Sequence, residues 1–152
     1  MNLSTRRLTK EELWSWSREN GNSMLVFRVS DKFGDYGLVG IASFRLEAGS
    51  QTDARIVDFV LSCRVMGRKV EETMLHVMSA CARSEGATGL HITYIPTPKN
   101  QPCLRFFENA GLVSNGDDKV FTLHLREAYP KPATTHLVLP DSSREGAPQI
   151  KL

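Results

Sequence analysis

Cysteine is scarce in this 152-residue chain: Cys63, Cys81 and Cys103 are odd in number and far apart, which excludes a disulfide framework and a cysteine metal cage. The four histidines, His76, His91, His124 and His136, are scattered and read as structural or surface residues, so no metal is expected. No apolar run approaches the ~20 residues that cross a bilayer. The first residues, Met1-Asn2-Leu3-Ser4-Thr5-Arg6-Arg7, lack the apolar stretch of a signal peptide. A cytoplasmic protein with reduced thiols and no membrane partner is therefore expected. The formal net charge of +2 is too small to argue for nucleic acid, and no RNP, zinc-finger or basic-helix pattern is present. The sequence has no internal repeat.

What is present is ordinary for one globular domain, with 41% hydrophobic and 24% charged residues. Thr9-Lys10-Glu11-Glu12 reads as a capping box. It opens a short helix through Leu13, Trp14 and Trp16 that ends near Asn20-Gly21. Residues 24–29 and 38–45 are rich in strand formers and make a hairpin around a turn at 32–37. Another turn at 47–53 leads to a third strand over 55–63. The period then changes: Val70, Met74, Leu75, Val77, Met78 and Cys81 recur at helical spacing, predicting a helix over 69–84 that stops at Gly86. A strand over 89–94, a Pro-containing loop over 95–101, a short helix over 102–109 with Gly111 as its left-handed cap, and a strand over 120–125 complete the pattern. This order predicts an α/β (α+β) fold with a mixed sheet and a parallel strand–helix–strand crossover at its middle. The domain is assigned to residues 1–126. Four of the seven prolines lie in residues 127–152, read as an extended or disordered tail in which Leu137-Val138-Leu139 is a candidate edge strand.

The sharpest local feature lies between Phe59-Val60-Leu61 and the long helix: Ser62-Cys63-Arg64-Val65-Met66-Gly67-Arg68-Lys69. A strand entering a helix through a glycine turn leaves the first helical amides unpaired, and those amides with the helix dipole suit a phosphate. Arg64, Arg68 and Lys69 add positive charge to the same turn. The alternative reading is a short, solvated turn that needs a glycine. The segment Phe33-Gly34-Asp35-Tyr36-Gly37 likewise reads either as a substrate-side loop or as a tight hairpin closing one end of the core.

The segment Asn100-Gln101-Pro102-Cys103-Leu104-Arg105-Phe106-Phe107-Glu108-Asn109-Ala110-Gly111-Leu112 resembles the second hallmark motif of the GNAT acyltransferase superfamily. The resemblance covers most of residues 1–125 and implies a mostly antiparallel mixed sheet flanked by helices. It also implies that the first-motif strand and helix start, Leu61, Ser62, Cys63, Arg64, Gly67, Arg68, Lys69 and Val70, hold the pantetheine and pyrophosphate of an acyl-CoA. It implies further that Asn100 and Phe107, in the second motif, lie beside the thioester. Four blocks resemble the C-terminal domain of FkbH-like proteins in order: Asn2-Leu3-Ser4-Thr5-Arg6-Arg7, residues 31–40, residues 61–71 and Pro96-Thr97-Pro98-Lys99-Asn100. That likeness implies polyketide or related biosynthesis, with an acyl carrier protein or a HAD-type domain as partner. A chain opening on the first block also fits a fragment or split partner of a longer protein.

The pyrophosphate turn of that superfamily reads Arg/Gln-x-x-Gly-x-Gly/Ala. One register places Arg64 first and Gly67 fourth, with Lys69 at the small position. The other, set by the apolar phase of the helix and preferred here, places Met66 first, Lys69 at the first glycine and Glu71 at the second. In it a carboxylate approaches the phosphate seat and repels it. Phe107 stands where a general-acid tyrosine is usual, leaving Tyr94 as a phenol candidate. Asp58 is the candidate base, read on one strand face with Ile56, Val60 and Ser62. Cys63 beside Arg64 reads as an activated thiol or a small buried side chain. Two functions follow: an acyltransferase using acyl-CoA or a phosphopantetheine thioester, or a non-catalytic module docking a carrier protein or HAD-type partner.

Overall fold

Thr9 accepts the Glu12 amide and Glu12 returns a bond to the Thr9 amide, so the capping box forms as read and starts α1 (Lys10–Ser17). The computed structural model describes residues 1–3, 6–47, 52–98, 100–114, 116, 120–138 and 149–151. After α1 the chain enters β1 (Asn22–Asp31) and β2 (Gly34–Glu47), an antiparallel pair. The turn expected over 32–37 is shorter. Pairing continues through Ser30 with Asp35 and Val29 with Gly37, and two register shifts absorb the irregularity. Gly37 sits at φ 69°, a conformation that favours glycine. Most of the turn read over 47–53 lies outside the described residues.

β3 (Asp53–Leu61) pairs antiparallel with β2, and a bulge decides which way its side chains point. Ser43 faces Asp58 and Phe44 faces Ile56, so Val57 is the extra residue. One added residue moves everything beyond it to the other face. Ile56 and Phe59 both point into the core, while Asp58 turns away from it. This corrects the simple alternation that put Asp58 on the face of Ile56. After a 3₁₀ turn (Cys63–Val65), α2 (Val70–Ser84) crosses to β4 (Gly89–Thr93), which runs parallel to β3. Then come α3 (Gln101–Asn109), a two-residue β5 (Val113–Ser114) that periodicity is too short to reveal, and β6 (Val120–His124). The central sheet order is β5-β6-β4-β3-β2-β1.

Residues 129–135 pack on α2. The Tyr129 carbonyl accepts from His76 Nδ1 at 2.5 Å, and the Tyr129 amide donates to Ser79 Oγ at 2.8 Å. The Thr135 and Thr73 hydroxyls pair at 2.9 Å with both residues buried. Short strands β7 (His136–Val138) and β8 (Gln149–Lys151) then extend the sheet beside β1, giving eight strands among the described residues. Val138 belongs to that edge as anticipated, and Leu139 lies outside the described residues. The mixed, mostly antiparallel sheet with flanking helices is the architecture expected.

The core lies between the sheet and α2 with α3: Phe27, Phe44, Phe59, Met74, Met78, Phe107 and Ile92 are all fully buried. Rings of Phe59, Phe106 and Phe107 pack at centroid distances of 5.3–5.7 Å. Gly40 sets the approach of α2, because a Cβ there would stand 2.9 Å from Met74 Sδ. Gly40→Ala is expected to cost about 1–3 kcal/mol through this overpacking, read as a lower midpoint in urea with unchanged slope.

Candidate functional site

β4 stays with β3 only over residues 53–56, paired with 89–92, and then leaves it. Past that point the free edge of β3 carries Phe59 and Leu61. Their backbone groups are taken by residues 1–3 running antiparallel: Leu3 N–H donates to Phe59 O at 3.0 Å, Leu61 N–H donates to Met1 O at 2.9 Å, and the Met1 amine donates to Leu61 O at 2.8 Å. Asn2 bridges Val60 between them, and Leu3 is buried. This is the strand edge where the GNAT resemblance implies a pantetheine arm. The chain's own first residues satisfy it here.

The turn before α2 is closed in a similar way. Ser62 ends β3 by donating its amide to Val39 O, and its hydroxyl accepts from the Arg64 amide and Nε. Gly67 takes φ 74° and Lys69 takes φ 65°. A left-handed backbone costs a non-glycine residue about 1 kcal/mol, so position 69 keeps a geometry suited to glycine while carrying lysine. Gly67 and Lys69 share this geometry, so the backbone suits either register of the motif. Val70 is buried and starts the helix. Glu71, 7% exposed, folds back so that Oε1 accepts the Gly67 amide at 2.6 Å. Its Oε2 has no hydrogen-bond partner among the described residues. A carboxylate in the first turn suits the helix dipole, and it occupies an amide that a phosphate would need. In this arrangement the turn does not fit a pyrophosphate.

One of its three cations turns inward. Arg68 pairs with the nearly buried Asp31 at 2.5 Å and lies over the Tyr36 ring, while Tyr36 OH donates to Asp31 at 3.0 Å. Asp31 also accepts the Phe33 and Gly34 amides, so one carboxylate both folds the β1–β2 turn and ties it to the start of α2. The Phe33–Gly37 segment is thus the tip of a hairpin locked to the turn. Lys69 pairs with Glu72 at 2.7 Å. Arg64 is exposed and has no carboxylate partner among the described residues. A cleft of about 560 Å³ adjoins this turn, between Lys69, Asn109 of α3 and residues 129–134.

The proton-transfer candidates each have a structural partner. Asp58 accepts from Arg6 Nε at 3.2 Å, from Arg6 Nη2 and from Ser43 Oγ. Tyr94 is buried and donates its hydroxyl to Asn100 Oδ1 at 2.9 Å. Asn100, also buried, accepts the Thr97 amide and donates to Ile95 O, so its side chain closes the loop before α3. Phe107 is fully buried against Phe59. Cys63 is exposed, and burial pushes the Cys103 thiol up to about 11. Leu61 to Val70 form one continuous stretch from the end of β3 to the start of α2. Among the described residues no group of His, Cys, Asp and Glu is placed to hold a metal, and no helix is long and apolar enough to cross a membrane.

Sequence reasoning did not find the roles of Asp31, Arg6 and residues 1–3. Their partners lie 37, 52 and up to 60 positions away, beyond the reach of periodicity. The Arg68 guanidinium, with the Phe33 amide and Tyr36 hydroxyl, holds the Asp31 carboxyl at about 2. Its stabilisation is complete above the unfolded value of 3.8 and is lost as pH falls from about 4 toward 2. Asp31→Asn is expected to lower the melting temperature at neutral pH and to flatten its fall over that acid window, read by thermal unfolding against pH.

No protein-family profile matches the chain and no curated protein matches it in sequence. Solved structures do. A protein assigned to the GNAT acetyltransferase family from Desulfovibrio desulfuricans superposes with a TM-score of 0.58 at 20% identity, over 80% of this chain and 86% of that one. A Trypanosoma brucei acetyltransferase gives 0.50 at 19% identity, over 72% and 76%. Ard1 from Thermoplasma volcanium gives 0.50 at 17% identity, over 78% and 79%. At such identities the likeness is one of architecture: this chain has the fold of the GNAT acetyltransferases.

Proposed function

We propose that this chain is a GNAT-fold acyl-thioester domain that takes a phosphopantetheine arm from an acyl carrier protein and not from free acyl-CoA. The observation that carries the reading is Glu71 Oε1 on the Gly67 amide at 2.6 Å. A pyrophosphate at that turn meets a buried carboxylate, and like charges in a partly desolvated site repel. A carrier-bound arm brings one phosphodiester and no adenosine pyrophosphate, so it needs less of the turn. The strand edge is a different matter. Exchanging the backbone bonds of residues 1–3 for the amides of a pantetheine arm trades like for like, each bond contributing about 1 kcal/mol net. The resemblance to the C-terminal domain of FkbH-like proteins supports a setting in polyketide or related secondary metabolism.

A second reading, a non-catalytic module that docks a carrier protein or a HAD-type partner, is favoured by one set of contacts. Asp58 is committed to Arg6 and Ser43, the Tyr94 hydroxyl to Asn100, and Phe107 has no proton to give. Catalysis of acyl transfer asks for a base and an acid beside the thioester. The two readings part on turnover, since only the first transfers the acyl group.

Calorimetric titration separates them. Acyl-phosphopantetheinyl carrier protein is expected to bind in the micromolar range and acetyl-CoA is not. Micromolar CoA binding by the unmodified chain would overturn the carrier-specific reading. Equal binding of carrier protein with and without its arm would leave docking alone. Glu71→Ala is expected to raise CoA affinity by about tenfold, equivalent to roughly 1.4 kcal/mol, while the lost helix-start bond lowers stability by about 0.5–2 kcal/mol.

A further inference from the structure

Across the sheet from α2, β2 and β3 set two arginines directly opposite each other: Arg45 and Arg55 are register partners. Like charges facing across a strand pair are unfavourable, and neither residue is needed by the core, since both are exposed. A third arginine joins them. Arg6 is fixed by Asp58 on one side and by the Trp16 ring on the other, 4.6 Å from the guanidinium carbon. All three line one cavity of about 440 Å³, with Trp16 and Ile95 among its apolar walls and Glu47 as its one acidic residue. That volume suits a small molecule.

Each arginine meets one carboxylate, and only one of those three carboxylates lines the cavity. Asp58 and Glu19, the partners of Arg6 and Arg45, are not part of its lining. Glu47 pairs with Arg55 at 2.6 Å, but with 54% of Arg55 and 39% of Glu47 exposed such a pair holds weakly. An incoming carboxylate or phosphate can therefore replace Glu47 on Arg55 and take the forked donors that guanidinium groups present.

We infer that this cavity is a binding site for a small anionic ligand, a carboxylate or phosphate with an apolar portion, held by Arg45 and Arg55 and bounded by Arg6 on Trp16. Its occupancy does not require a thioester. If it serves the proposed reaction, it is the acceptor side of that reaction, and the acceptor is an acid or a phosphate ester.

Titration of the full chain with succinate and, separately, inorganic phosphate tests the site, followed by calorimetry and by the ligand-induced rise in melting temperature. Saturable binding of at least one probe is expected. Arg55→Gln is expected to weaken it about tenfold or more without lowering the melting temperature of the unliganded protein, because it relieves the Arg45–Arg55 opposition. Glu47→Gln is expected to tighten it, since Arg55 loses its competitor. Binding of neither probe would overturn the inference. So would a Glu47→Gln variant that binds more weakly, or an Arg55→Gln variant that is destabilised yet binds as before. None of these outcomes bears on whether a carrier protein binds the opposite groove.

Discussion

Backbone groups in the middle of a sheet must find partners, and β3 has a partner on both edges only as far as Ile56. Everything distinctive about this molecule follows from what happens next. β4 diverges, the edge at Phe59 and Leu61 is left for another strand, and residues 1–3 take it. Seating that segment brings Arg6 within reach of Asp58. The bulge at Val57 has already turned Asp58 toward it. The same divergence that makes room for residues 1–3 therefore also fixes the arginine that stands over Trp16. Opening, bulge and Arg6 form one mechanical unit.

A second constraint acts at the start of α2. The turn there has unpaired amides, a helix dipole and three cations, which together attract anions. The chain answers most of that attraction from within: Glu71 on the Gly67 amide, Asp31 on Arg68, Glu72 on Lys69. Internal carboxylates cost little entropy to place and leave a weaker seat for an external pyrophosphate. Lys69 holds a left-handed backbone at φ 65° although it carries a full side chain.

The fold was largely legible because its signals are local. The apolar phase of Val70, Met74 and Met78 marked α2, Thr9 with Glu12 marked α1, and alternating strand formers marked the hairpin. The helix phase also located Glu71 at the phosphate turn. What escaped was non-local or too short. Two residues cannot show a period, so β5 was missed. A bulge inserts one residue with no compositional mark, so Asp58 was read on the face of Ile56. Asp31 reads as a turn former, which it is, but its bond to Arg68 spans 37 positions and no pattern announces it. The cross-strand opposition of Arg45 and Arg55 exists only once a register is known.

Residues 1–3 occupy the β3 edge at Phe59 and Leu61, and under the proposed function a thioester arm exchanges with them. Residue-resolved amide hydrogen exchange, with and without acyl-phosphopantetheinyl carrier protein, reads this directly. In the free chain the Leu3 and Leu61 amides are both expected to be protected, since each donates to the other strand. On binding, Leu3 should lose its protection while Leu61 keeps its own, having passed from Met1 to the arm. Bound carrier protein with both amides as protected as before would contradict the account.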